Sequence, residues 1–202
     1  ADVQAPRVSL FWPMPARNDP SYWEARVAAQ FTAGALQDEL TTSDPDNKTS
    51  PTKVAHDVHY HYDELGLVGM LQIDVTLHPG KDLPKARAAI DDVLNAIGRY
   101  QFYERSSVRR AGTGLAAGLV FGLEGLGGRA ESFGEDAQLF GDALHVKVDL
   151  GALDVLDGEG IQDAYKSWIL RGSHVIAMVT PTKGAPKGGR VVGSVAAPPK
   201  AA

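Results

Sequence analysis

The hydrophobic positions of this chain change period several times, and each change marks an element. Arg7 to Trp12 is a short β-rich run closed by Pro13 and Pro15. Asn18-Asp19-Pro20 then reads as a helix start, with Asp19 as cap and Pro20 in the first helical position. The helix is predicted to run to about Leu40, with Trp23, Val27, Phe31, Ala35 and Leu36 inward. Thr41 to Thr52 is polar, carries Pro45 and Pro51, and reads as a loop. Val54 to Tyr62 alternates. Val54, His56, Val58, Tyr60 and Tyr62 fall on one face, and Ala55, Asp57, His59 and His61 on the other. Asp63-Glu64-Leu65-Gly66 supplies a turn and Leu67 to Leu77 a second strand, so the pair is predicted to be an antiparallel hairpin.

A helix is predicted from Asp82, with Pro84 in its first turn and Ala86, Ile90, Val93, Leu94 and Ile97 facing the core. Phe102 to Leu115 starts another and leads into the segment Gly118 to Asp142. That segment is too rich in glycine for an ordinary helix and too apolar for a free linker. Leu119, Leu123 and Leu126 keep helical spacing until Gly127-Gly128 interrupts, and a second run places Phe133, Ala137 and Phe140 on one side. The reading is helix, tight break, helix. Gly127 or Gly128 is expected to adopt positive φ or to let a neighbouring element approach closely. Val146 to Leu156 and Gly160 to Leu170 read as helices, Val175 to Val179 as a last strand. The order β-α-β-β-α-α-α-α-β predicts an α+β fold, a mixed, largely antiparallel sheet with helices packed on one face. Residues 1–181 are expected to form a single domain, and 182–202 a tail rich in Pro, Gly, Ala and Lys.

Composition narrows the function classes. The 202 residues can bury a sizeable core. A net charge of −5 gives no electrostatic reason to expect nucleic acid. Arg99, Arg105, Arg109 and Arg110 sit at near-helical spacing and read as a solvated face. No apolar run reaches the ~20 residues that span a bilayer. The chain holds no cysteine, which rules out disulfides and thiolate metal sites and fits a periplasmic or otherwise exported protein, with a cytoplasmic one as the alternative. The Ala1 start suggests a processed or excised segment.

The candidate chemistry lies among the six histidines. Asp57, His59 and His61 share a strand face and carry donors that suit a divalent metal. Adjacent ligands on one strand still need a fourth group that the sequence does not identify, so this face reads as polar and open to water or a cavity. An unrelated α+β enzyme built on this histidine strand stays as an alternative. His61-Tyr-Asp-Glu64-Leu65 has His and Glu at the spacing of a His-x-x-Glu-His zinc motif. Leu65 stands in the second ligand position, and the segment is a strand end rather than a helix. Gly122-x-x-Gly125-x-Gly127-Gly128 lacks the following Lys-Ser/Thr of a phosphate cradle and reads as helix packing. Trp12, Trp23 and Trp168 read as core or interface anchors.

Several short motifs, taken in order, add a resemblance. They are Arg7-Val-Ser-Leu-Phe-Trp-Pro13, Ala35-Leu-Gln-Asp-Glu-Leu40, Val54-Ala-His-Asp-Val58, His78-Pro-Gly80 and the glycine-rich segment ending in the turn Phe140-Gly141-Asp142. Their order and spacing, over roughly Arg7 to Pro181, resemble the second structural half of the pitrilysin/insulinase-type zinc peptidases, the family of the mitochondrial processing peptidases. The resemblance implies a non-catalytic half. Zinc would sit in a partner half bearing His-x-x-Glu-His, and the two would close a chamber around peptide. No catalytic residue and no metal or other cofactor is expected in this chain itself. In that family the second half often offers an Arg and, seven residues later, a Tyr to substrate. Here His56 stands at the Tyr position, with Thr49 seven residues upstream and Lys48 beside it. The substrate-binding residues that follow are His56 and Lys48, with His59 and His61 on the peptide-facing strand. The alternative is an inactive structural or binding module with no proteolytic partner.

Overall fold

The structure, a computed structural model, describes residues 5–41, 54–65, 67–99 and 104–181. Lys48, Thr49 and the tail 182–202 lie outside the described residues. Strands β1 (Arg7–Met14), β2 (Ala55–Leu65), β3 (Val68–Leu77) and β4 (Val175–Val179) form one sheet in the order β2-β3-β1-β4. Every pairing among them is antiparallel, so the sheet is not mixed in its described part. Among the described residues the first and last strands meet: Ser9 lies opposite Asp74 on one side and Ala177 on the other.

The helices cover one face of this sheet. Alternation sends Val8, Leu10, Trp12 and Met14 of β1 and Leu71, Ile73, Val75 and Leu77 of β3 to that side, where all are buried. Helix α1 (Tyr22–Thr41) runs through the middle of the layer, against β2, α2 (Leu83–Arg99), and α6 (Gly158–Ala164). Its apolar stripe is wider than the spacing of its large residues suggests, because Ala25, Ala28, Ala29 and Ala33 are buried beside Trp23, Val27 and Leu36. Small side chains let neighbouring backbones close on two sides. Asp19 acts one turn before the helix. Its Oδ1 accepts from the Ser21 backbone N–H at 2.8 Å and from the Ser21 hydroxyl at 2.7 Å, and the Ser21 carbonyl opens the helical ladder at Ala25. Pro20 therefore lies in the preceding turn. Asp157 caps α6 by accepting from Gly160 N–H at 2.8 Å. Past Ala164 the helix widens into a π-helical turn, Tyr165–Leu170. There the Tyr165 hydroxyl donates to the Leu94 carbonyl at 2.5 Å, and Trp12 Nε1 donates to the Ile169 carbonyl at 3.1 Å.

The glycine-rich segment breaks earlier than its pattern predicts. Helix α3 (Arg105–Gly122) ends at Leu123, and α4 (Leu126–Phe140) already contains Gly127 and Gly128 in its first turn. Arg99 ends α2 and Arg105 opens α3, so the four arginines do not share one helix face. Neither Gly127 nor Gly128 has positive φ; that conformation falls at Gly80 and at Gly141, the left-handed cap of α4. Of the two, Gly128 alone makes the close approach. A Cβ on Gly128 would overlap the Gly122 carbonyl oxygen, whereas one on Gly127 would meet nothing within 4 Å. Gly128→Val is thus expected to lower stability by roughly 1–3 kcal/mol through overpacking. Gly127→Val should stay within about 0.5 kcal/mol, as for other exposed sites. Thermal melts of the two variants check this, and equal melting temperatures would show that α3 and α4 do not need the contact.

Candidate functional site

The face of the sheet away from the helices carries the histidines. His59 lies opposite Asp74 and His61 opposite Gln72 in the β2–β3 ladder. Their side chains are 81% and 70% exposed, respectively. Each ring is oriented by a carboxylate two residues away on its own strand: His59 Nε2 to Asp57 Oδ2 at 2.8 Å, and His61 Nε2 to Asp63 Oδ1 at 2.8 Å. Behind them the Ser9 hydroxyl donates to Asp74 Oδ1, and Gln72 Nε2 donates to Asp74 Oδ2 at 2.8 Å. The result is a hydrogen-bonding strip in which imidazoles stand over a row of acceptors. Among the described residues no three His, Cys, Asp or Glu groups converge as a metal shell. In His61-Tyr-Asp-Glu64-Leu65 the Glu64 carboxylate is turned to an ion pair with Arg26.

His56 sits differently from the alternation. A bulge between Ala55 and Asp57 makes His56 the extra residue on β2. Ala55 pairs with Leu77 and is buried on the helix side at 1% exposure, not on the face of His59 and His61. The exposed His56 ring has its centroid 5.8 Å from that of His78. The sequence assigns one register to the whole strand; the bulge shifts it by one residue, and no turn residue announces it.

Two clusters are invisible in the sequence. Arg26 of α1 lies over the rings of Tyr62 at 5.3 Å and of Tyr22 and Trp23 at 6.0 Å, and donates to the Tyr22 hydroxyl at 2.8 Å. Burial pushes the Tyr22 and Tyr62 hydroxyls up from 10.0 to about 12, with Arg26 pulling partly the other way. Both phenols therefore remain neutral in the folded chain. Their contribution to stability is complete below pH 10 and is lost as the pH climbs to about 12.

The second cluster gathers around Arg17, just past β1. Its guanidinium pairs with Asp149 of α5 (Val146–Asp154) and lies 3.6 Å from Asp136 of α4. Asp149 also accepts from Trp23 Nε1 at 2.9 Å, and Asp136 accepts from the Val146 backbone N–H at 3.0 Å. His145 stacks on Phe140 with ring centroids 3.5 Å apart and approaches Asp149 at 4.0 Å. Asp136 is fully buried and is the one buried residue of α4, so this helix is fastened to the body by charge rather than by an apolar face. Only tertiary contact supplies Arg17, more than a hundred residues away in the chain.

No sequence profile of a known family matches the chain, and a search of curated protein sequences finds no match. Solved structures do match. A candidate zinc protease from Bordetella pertussis Tohama I superposes with a TM-score of 0.69 at 18% identity, over 90% of this chain and 97% of that one. The inactive peptidase domain of a candidate zinc protease from Bordetella parapertussis gives 0.68 at 18% identity, over 90% and 96%. A peptidase M16 inactive domain from Pseudomonas fluorescens gives 0.64 at 14% identity, over 88% of this chain and 40% of that one. The chain has the fold seen in inactive peptidase M16 domains. The α+β architecture and the family resemblance read from the short motifs agree with it.

Proposed function

We propose that this chain is the non-catalytic half of a pitrilysin/insulinase-type zinc peptidase, exported to the periplasm. In this reading it packs against a half that carries His-x-x-Glu-His, and the two enclose peptide substrates. The observation that carries the reading is the match of most of the chain, over nearly the full length of each, to a candidate zinc protease and to the inactive peptidase domain of another. The open strip of His59 and His61 supports it. A strip of imidazoles on an otherwise soluble sheet face is costly to cover with protein unless each ring finds a partner. Against a water-filled chamber it needs none, and it offers donors and acceptors to a peptide backbone. Zinc belongs to the partner half in this assignment, where two His one helical turn apart hold it and the Glu between them takes the proton from bound water.

The test is reconstitution. The 202-residue chain is mixed with the product of a neighbouring reading frame that carries His-x-x-Glu-His, and complex formation and cleavage of a peptide library are followed together. A complex should form, and cleavage should require both chains. The double variant His59→Ala/His61→Ala should keep its melting temperature while losing several-fold in peptide affinity. Full cleavage by the zinc-bearing chain alone, with no complex, would leave an inactive structural module as the correct reading. Chelator-sensitive cleavage by this chain alone would sink both.

A further inference from the structure

Along helix α1 lies a groove of about 960 Å³, walled by β2, α2 and the start of α3. Its floor is small and apolar. Gly34 presents no side chain, and Val93 and Ala96 of α2 stand half-buried beside it. Its rim is acidic. Asp38 and Glu39 of α1, Asp57 of β2 and Asp92 of α2 border it, and among the described residues no Lys or Arg does. Asp38, Glu39 and Asp92 make no ion pair with a described residue, and Asp57 meets the His59 ring at 2.8 Å. Four carboxylates around one apolar trough create a field that draws a cationic segment. The Val58 N–H of the β2 edge is already taken by the Gln37 side chain at 2.8 Å. Side chains, rather than a further strand ladder, must therefore hold an occupant.

One segment of the chain matches this groove in charge and in place. Residues 182–202 carry Lys183, Lys187, Arg190 and Lys200 and no Asp or Glu, and Val191-Val192 follows Arg190. The other segments outside the described residues lack that charge. Residues 1–4 hold Asp2, 42–53 balance Asp44 and Asp46 against Lys48 and Lys53, and 100–103 hold no charged side chain. The sheet register brings the segment out at the right end. Val179 lies opposite Arg7, Arg7 opposite Thr76, and Thr76 opposite Asp57. Strand β4 thus hands the chain on three strand spacings, or about 14 Å, from Asp57. Lys187 stands 8 residues past Val179, enough to span at most about 26 Å. We propose that residues 187–192 of this chain seat in the groove, with Lys187 and Arg190 at its acidic rim and Val191 and Val192 on its apolar floor. So seated, the segment straps α1 to β2 and closes the groove to other cations. The proposal does not depend on the peptidase reading.

The chain has no cysteine, and a Cβ at Gly34 would meet nothing within 4 Å, so a disulfide can report the contact without crowding it. In the 202-residue chain carrying Gly34→Cys and Val191→Cys, an intramolecular disulfide should form readily on mild oxidation, since it needs Cα atoms roughly 4.4–6.8 Å apart. Adding Lys187→Glu and Arg190→Glu should slow its formation several-fold. Adding Asp38→Lys and Asp92→Lys as well should restore the rate, because the charges are then exchanged rather than lost. Salt at about 1 M, where the screening length falls to about 3 Å, should slow the cross-link of the original pair. A rate that the two Glu substitutions leave unchanged would overturn the proposal. So would a loss that the exchanged charges fail to restore, which would seat the segment elsewhere. A disulfide formed only between two chains would overturn it too, and give the groove to a second copy.

Discussion

Arg17→Leu is expected to destabilise the chain by about 3–5 kcal/mol, the range for removing one partner from a buried ion pair. The side chain of Arg17 is 12% exposed, and those of Asp136 and Asp149 are 1% and 5% exposed. Without the guanidinium, two buried carboxylates are left with the Val146 N–H, Trp23 Nε1 and, at 4.0 Å, the His145 ring. The cost should be regional. Helix α4 has no other buried residue, so it should lose its protection from hydrogen exchange before the sheet does. Arg17→Lys should recover little, because an ammonium is more strongly hydrated than a guanidinium, sits on a different stem and lacks the flat face that lies over Trp23 and Phe140. Replacing all three charges together with apolar residues of similar volume should cost much less than Arg17→Leu alone. Urea unfolding with exchange mass spectrometry measures each of these. A loss below about 1 kcal/mol for Arg17→Leu, the value of a surface pair, would show that water reaches the cluster.

Trp12→Ala should cost a comparable amount, about 3–5 kcal/mol, as for other buried large aromatics. Trp12 is fully buried in the centre of the sheet, between Leu71 on β3 and the π-helical turn. Its removal leaves a cavity and also strips the Ile169 carbonyl of its 3.1 Å donor. Trp12→Phe separates the two effects. It keeps most of the volume and should recover roughly half the loss, leaving about 1–3 kcal/mol for the unmet carbonyl. A full recovery by Phe in urea unfolding would mean that the hydrogen bond contributes nothing and that packing alone holds the turn.

Much of the scaffold is readable from local chemistry. The strand Val175–Val179 is found at its predicted bounds, and the hairpin, the long first helix and the helix after Pro84 lie within a few residues of theirs. In each case the period of apolar residues and a turn or proline at the boundary act within a few residues of one another. Leu94 and Ile97 face the core as their spacing requires, and Trp12 and Trp23 are buried. Two misreadings come from contacts that the apolar period does not show. The bulge at His56 is set by how β2 must meet β3. The break before α4 falls at Leu123–Gly125, because the Gly128 backbone must lie against Gly122.

The sequence by itself determined most of the succession of elements, the absence of a His-x-x-Glu-His motif, and the resemblance to a peptidase half. These follow from periodicity, turn chemistry and short motifs, whose physics is local. The tertiary structure alone decided that β1 pairs with β4, that Arg17 holds α4 and α5 through two buried carboxylates, and that the Gln37 side chain meets the β2 edge at Val58. A charge reveals its partner only when folding excludes water from the pair. A strand edge is open or closed according to what the rest of the chain places beside it.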